Sequence, residues 1–196
     1  PVGILWVSRK KTKGEIWEEV KEKIQIDKLI IYFSLAILIS DQLTKWLVVQ
    51  HFEEANDPQE KLVVINGFFD LVHRTNTGAA FSLFTGKSGI LAIISIFAAG
   101  ALVWFRHHFD NGTRKAKIAL GLLLGGIIGN MIDRLAHGAV VDFARVYIER
   151  KDGTISEWPA FNVADSAICI GVGLLFLLAW TERDEPDDEK AEPKEA

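Results

Sequence analysis

Cysteine is almost missing: Cys169 is the only one in 196 residues. No internal disulfide can form, and inside an apolar run this residue reads as a small packing side chain, silent about redox compartment. Signatures of several hydrolytic chemistries are missing too. There is no Gly-x-Ser-x-Gly elbow, no His-Glu-x-x-His zinc pair and no Cys-x-x-Cys pair. No inverted repeat of the transporter kind is evident. The first apolar run, residues 2–7, is too short for the h-region of a cleavable signal peptide.

What is present is unevenly placed. A net charge of -4 with 24% charged and 49% hydrophobic residues would suit one soluble domain. The apolar residues, however, gather in four runs at 29–49, 88–105, 118–132 and 160–180. Crossing a hydrocarbon core of about 30 Å takes ~20 helical residues, so each run is read as a transmembrane helix. The third is short and is expected to draw on Lys117 and Arg134, whose long stems snorkel to the interface. The expected fold is an all-α membrane protein of four transmembrane helices in one domain at 29–181. Residues 1–28 carry Ile16, Trp17, Val20 and Ile24 at helical spacing among charges, an amphipathic helix lying on the cytoplasmic surface. Residues 182–196, mostly acidic with Pro186 and Pro193, are expected to be a disordered tail.

Lys and Arg near span ends set orientation. Arg9, Lys10, Lys11, Lys13, Lys21, Lys23 and Lys28 precede the first span, and Arg106, Arg114, Lys115 and Lys117 fill the short connection after the second. Both segments are read as cytoplasmic, with both termini inside and the connections 51–87 and 133–159 outside. The first outer connection holds two apolar runs flanking Asn66-Gly67, which predicts a small extracytoplasmic β-hairpin with a type I′ turn.

Ionisable residues in or beside spans cost ~2.5–3.5 kcal/mol on insertion scales and are functional or internally paired. Here they fall at one end. Asp41 and Lys45 share a face one turn apart and read as an internal ion pair. Asn130 and Asp133, then Asn162 and Asp165, repeat an i, i+3 spacing at the outer ends of spans three and four. Asp133 beside Arg134 reads as a structural charge pair. Asn76, Asn130 and Asn162 either satisfy backbone at helix ends or hold carboxylates. Gly121, Gly125 and Gly129 form a face for close helix packing. Asp165 has no basic residue at helical spacing, and Asp142 has only Arg145, three residues on. Two carboxyl groups a few Å apart share a proton, one serving as base towards water while the other donates to a scissile carbonyl. Spacing alone leaves Asp133 and Asp142 both open as the partner of Asp165. A small proton-coupled carrier and a noncatalytic scaffold are the rival readings, the first requiring polar residues that reach both membrane faces.

Five blocks in order, Asp41-Gln42-Leu43-Thr44-Lys45, Arg74-Thr75-Asn76-Thr77-Gly78-Ala79-Ala80-Phe81, Gly129-Asn130-Met131-Ile132-Asp133-Arg134, Val140-Val141-Asp142-Phe143 and Phe161-Asn162-Val163-Ala164-Asp165-Ser166, resemble the lipoprotein signal peptidase (signal peptidase II) family. The resemblance implies a multi-pass enzyme of the bacterial inner membrane, an aspartyl endopeptidase that cleaves signal peptides from diacylglyceryl-modified prolipoproteins. It places the catalytic pair on Asp142 and Asp165, with Asp41, Lys45, Asn76, Gly78, Asn130, Asp133, Arg134 and Asn162 supporting them or the substrate. Membrane lipids and globomycin-type cyclic peptides are the other implied partners. No nucleic acid, cofactor or metal is expected, and a monomer is. The segment before Leu29 and the acidic tail depart from the family pattern.

Overall fold

The computed structural model describes residues 12–24, 26–52, 61–78 and 84–182. An N-terminal helix, α1 (Lys13–Ile24), precedes four longer ones: α2 (Lys28–His51), α3 (Ser88–Phe105), α4 (Arg114–His137) and α5 (Val163–Glu182). Each of the four is long and apolar enough to cross a membrane. The expected helix α1 is present and exposes Trp17, whereas the acidic tail expected from residue 182 onwards lies, after Glu182, outside the described residues.

The third span differs most from expectation. It is not a short helix eked out by snorkelling ends but a 24-residue one, ~36 Å at 1.5 Å per residue, and it is the most buried of the four. Thr113 caps its start by accepting the Ala116 N–H, and Gly138 at φ 73° ends it by donating to the Arg134 carbonyl. Lys117 pairs at 2.8 Å with Asp27, itself the cap of α2, so the two helices are pinned where they begin. The Arg134 side chain runs inward to backbone carbonyls, as described below.

Helix α4 is central, packing against α2, α3 and α5. Its glycines permit the approach, on two sides. A Cβ at Gly125 would stand 2.6 Å from the Ser34 carbonyl oxygen of α2, and one at Gly126 would stand 2.5 Å from the Ala164 carbonyl oxygen of α5. Gly126→Ala is therefore expected to force α4 and α5 apart, at a cost of about 1–3 kcal/mol. Thermal unfolding in detergent checks this, and an unchanged midpoint would contradict the packing described. The outward faces carry exposed Leu35, Ile39, Leu43, Ile93, Phe97, Ile170 and Phe176, the surface that lipid rather than protein covers. Cys169 belongs to that outward face: it is exposed on α5, not packed inside the bundle as expected.

The chain passes up and down, so the α2–α3 and α4–α5 connections emerge at one end, where they join in a single antiparallel sheet of order β1-β2-β3-β4. The strands are β1 (Leu62–Ile65), β2 (Phe69–Asn76), β3 (Val140–Glu149) and β4 (Ile155–Glu157). The expected hairpin is thus half of a larger sheet, and its turn differs. Gly67 has φ 75° but Asn66 is not among the positive-φ residues, and the turn closes from the Ile65 carbonyl to the Phe68 N–H at 3.0 Å. A type I′ turn needs both central residues at positive φ, so it is excluded. Strand β3 carries Val140, Val141, Phe143, Val146, Tyr147 and Ile148, a β-branched and aromatic run that the sequence reading left as a plain connection. Across it, Arg145 donates to Asp70 at 3.2 Å and to Glu157 at 2.7 Å, and Glu157 also accepts from Arg74 at 3.1 Å. This ladder ties β4 across β3 to β2.

Candidate active site

The sheet delivers Asp142 to the bundle. β2 and β3 pair with Arg74 opposite Asp142 and Asn76 opposite Val140. Beyond β4 the chain continues antiparallel along β3: Phe161 donates to the Ala144 carbonyl at 3.1 Å and accepts from the Ala144 N–H at 2.8 Å. That return leaves Asn162 beside Asp142 at the moment α5 begins. Asn162 and Asp165 then cap the helix reciprocally. The Asp165 N–H donates to Asn162 Oδ1 at 2.9 Å, and the Asn162 N–H donates to Asp165 Oδ2 at 3.2 Å. The i, i+3 spacing in the sequence is the spacing of this cap.

With its carbonyl oxygen committed to the cap, the Asn162 side chain turns its amide outward. It donates to Asp142 Oδ1 at 2.8 Å, to Asn130 Oδ1 at 3.2 Å and to the Val141 carbonyl at 3.3 Å. Asn162 therefore contacts both carboxylates. Asn76 donates to the other Asp142 oxygen at 3.0 Å, and Asn130 donates to Asp165 Oδ1 at 2.7 Å. Each of the three asparagines holds a carboxylate, and Asn76 and Asn162 also satisfy backbone N–H groups.

A second tier lies deeper. Lys45 is 2.8 Å from Asp41, as its spacing predicts, and also 2.8 Å from Asp133. Asp133 thus pairs with Lys45, not with its neighbour Arg134 as expected. Asp41 Oδ1 accepts the Ala164 N–H at 2.9 Å, one residue before Asp165. Gly129 leaves room for the carboxylate, since a Cβ there would lie 2.6 Å from Asp41 Oδ2. Arg134 donates to the carbonyls of Gly78 at 3.2 Å and Asn130 at 3.4 Å. The Gly78 N–H donates to Asn76 Oδ1 at 2.9 Å, so the backbone of Gly78 serves both Asn76 and Arg134. Ala79, Ala80 and Phe81 lie outside the described residues.

Asp142 is 4% exposed. Burial raises its carboxyl to about 7, the charge of Asp165 adds to the rise, and the amides of Asn76 and Asn162, with Lys45, oppose it. A carboxyl of this kind holds or releases a proton near neutrality. Asp165 accepts through both oxygens. Such a pair offers one site that can give a proton beside one that can take it, the requirement for activating water without a nucleophilic side chain.

Three of the four spans, with the sheet, gather aspartates, a lysine and amides at a single end, which makes this a membrane protein with a polar site buried at one end of its bundle. Residues 33–181 match the family model described as "Signal peptidase (SPase) II". The lipoprotein signal peptidase of Bacillus subtilis (strain 168) is 38% identical over 150 residues, 76% of this chain and 92% of that protein. The lipoprotein signal peptidase of Shouchella clausii (strain KSM-K16) is 41% identical over 144 residues, 74% of this chain and 87% of that one. A bacterial membrane enzyme solved by the in meso method superposes with a TM-score of 0.69 at 29% identity, covering 83% of this chain and 94% of the other. The chain belongs to the signal peptidase II family and is a membrane protease.

Proposed function

We propose that the protein is an aspartyl endopeptidase that cuts the signal peptide from diacylglyceryl-modified prolipoproteins, with Asp142 and Asp165 activating the attacking water. The observation that carries the reading is Asn162, whose amide holds Asp142 while its carbonyl oxygen and backbone N–H hold Asp165. In the reacting pair one carboxylate takes a proton from water as it attacks the scissile carbonyl, and the other, protonated, hydrogen-bonds the carbonyl oxygen. Asn76, Asn130 and Asn162 position the two; Asp41, Lys45 and Asp133 anchor the elements that bring them; Arg134 and Gly78 fix Asn76.

The same reading sets the protein in the bacterial inner membrane with the sheet end outward. Lys28, Arg106, Arg114, Lys115 and Lys117 all belong to the opposite end, which supports a cytoplasmic position for it. The two acyl chains of a substrate would remain in lipid while its backbone enters beside the carboxylates, so that binding energy from the lipid holds the scissile bond at interface depth. Purified protein is incubated with a lipidated precursor, with and without a chelator and a globomycin-type peptide. Cleavage is expected to survive the chelator and to stop with the cyclic peptide; chelator-sensitive cleavage would overturn the aspartate reading. The unlipidated precursor is expected to be cut at least about tenfold more slowly, and equal rates would remove the lipid-anchoring part.

The raised carboxyl of Asp142 sets an upper pH limit. Above about 7 it loses its proton, so kcat is expected to fall as pH rises through that value. Asn76 favours the charged form by donating to it, so Asn76→Leu should move this limb to higher pH while lowering the maximum. Stability follows the same sign. The folded state keeps the proton up to about 7 against an ordinary value of 3.8, so the contribution present at acid pH is lost as pH rises between them. A pH–rate profile of the wild type and the variant checks the limb and its shift, and unfolding midpoints across the same pH range check the stability.

A further inference from the structure

Two buried carboxylates share a single lysine. The Lys45 ammonium lies 2.8 Å from Asp41 Oδ2, 2.8 Å from Asp133 Oδ2 and 3.1 Å from Asn130 Oδ1, so its three protons are all engaged. Asp133 Oδ1 takes its hydrogen bond from elsewhere: the side-chain amide of Gln42, at 2.8 Å. The same amide nitrogen lies 3.3 Å from Asp41 Oδ2 and 3.4 Å from the Gly129 carbonyl. All three partners accept, which fixes the end of the amide that faces them. From Asp133 the chain of contacts continues outward, because its Oδ2 accepts the Val141 N–H at 3.5 Å, one residue before Asp142.

We infer that Gln42 is a positioning residue for Asp142, acting through Asp133 and the Val141 backbone. The inference rests on the proposed role of Asp142 and Asp165. Gln42 stays outside the reacting pair, and no sequence pattern marks it apart from its place between Asp41 and Lys45. Its chemistry is specific all the same. With Lys45 and Val141 both on Oδ2, the carboxylate of Asp133 needs a donor on its other oxygen to stay aligned, and a neutral donor provides it without altering the charge of the group. The charged groups around this point are Asp41 and Lys45 on α2, Asp133 and Arg134 on α4, Asp142 on β3 and Asp165 on α5. A further carboxylate among them would be repelled by Asp41 and Asp133 and would take up a proton.

That property supplies the test. Gln42→Met removes the donor at similar volume, and Gln42→Glu restores one only when the introduced carboxyl is protonated. With a lipidated precursor, Gln42→Met is expected to lower kcat about tenfold with KM within about twofold, at a constant ratio to wild type across pH. Gln42→Glu should be as impaired at about pH 7.5 and recover about fivefold relative to wild type by about pH 5.5. A wild-type kcat in Gln42→Met, or the same pH-independent loss in both variants, would overturn the inference. Should Gln42→Met not fold, the pH-dependent recovery of Gln42→Glu still decides. Asp142→Asn is assayed in parallel. If it stays active, the proposed pair fails and this inference with it; if it is inactive while Gln42→Met is normal, only the role of Gln42 is lost.

Discussion

Asp142→Asn is expected to reduce cleavage of a lipidated precursor by about 10³-fold or more while leaving the helical fold and thermal midpoint intact, and Asp165→Asn to do the same. The physical reason is that an amide is close in shape to a carboxyl but can neither take a proton from water nor hold one near neutrality. At position 142 the substitution also removes a carboxyl displaced to about 7, which folding has to accommodate, so stability at pH 8 should be equal to or above that of the wild type. A purely structural role predicts the opposite pairing, with lost stability and no specific catalytic defect. Cleavage rate and unfolding midpoint measured on the same preparations separate the two. Near-normal turnover in either variant would reject the pair.

Lys45→Met should have the largest effect on stability. Lys45 is 3% exposed and its ammonium serves Asp41 and Asp133, which are 0% and 3% exposed. Removing it leaves two carboxylates facing each other in a site with little water, and breaking a buried pair of this kind costs about 3–5 kcal/mol. The damage should spread, because Asp41 holds the Ala164 N–H beside Asp165 and Lys45 orients Asn130. Lys45→Met with Asp41→Leu, which removes one orphaned charge together with its partner, should recover part of the loss in unfolding midpoint but not the activity. If the single variant unfolds at the wild-type temperature, the charges are not coupled as the distances require.

Much of this architecture was legible in the sequence because lipid imposes a simple rule on it: long apolar runs, with charge expelled to their ends unless paired. Asp41 and Lys45 could be matched by helical periodicity alone, and the convergence of the remaining polar residues followed from counting crossings. Helix α4 was underestimated because its glycines and end charges lower hydropathy in a segment that protein, rather than lipid, surrounds. Strand β3 carries a usable signal in its β-branched and aromatic residues, but Asp142, Arg145 and Glu149 interrupt it. The partner of Asp133 was not available from spacing, since Lys45 reaches it from another helix and Arg134, next in sequence, points to the carbonyls of Gly78 and Asn130. The role of Asn162 as joint between two carboxylates needed the backbone return of 158–162 along β3, a pairing with no local signature.

That return also divides the α4–α5 connection into a part that tolerates alteration and a part that does not. The hairpin tip, where Gly153 has φ 81° and Arg150 closes onto Thr154, is exposed and touches none of the carboxylate cluster. An epitope or fluorophore inserted there would report on the protein in living cells without disturbing it. One residue added between Trp158 and Asn162 would instead slide the second half of the chain by a full step, swinging Asn162 to the wrong side and uncoupling strand from helix.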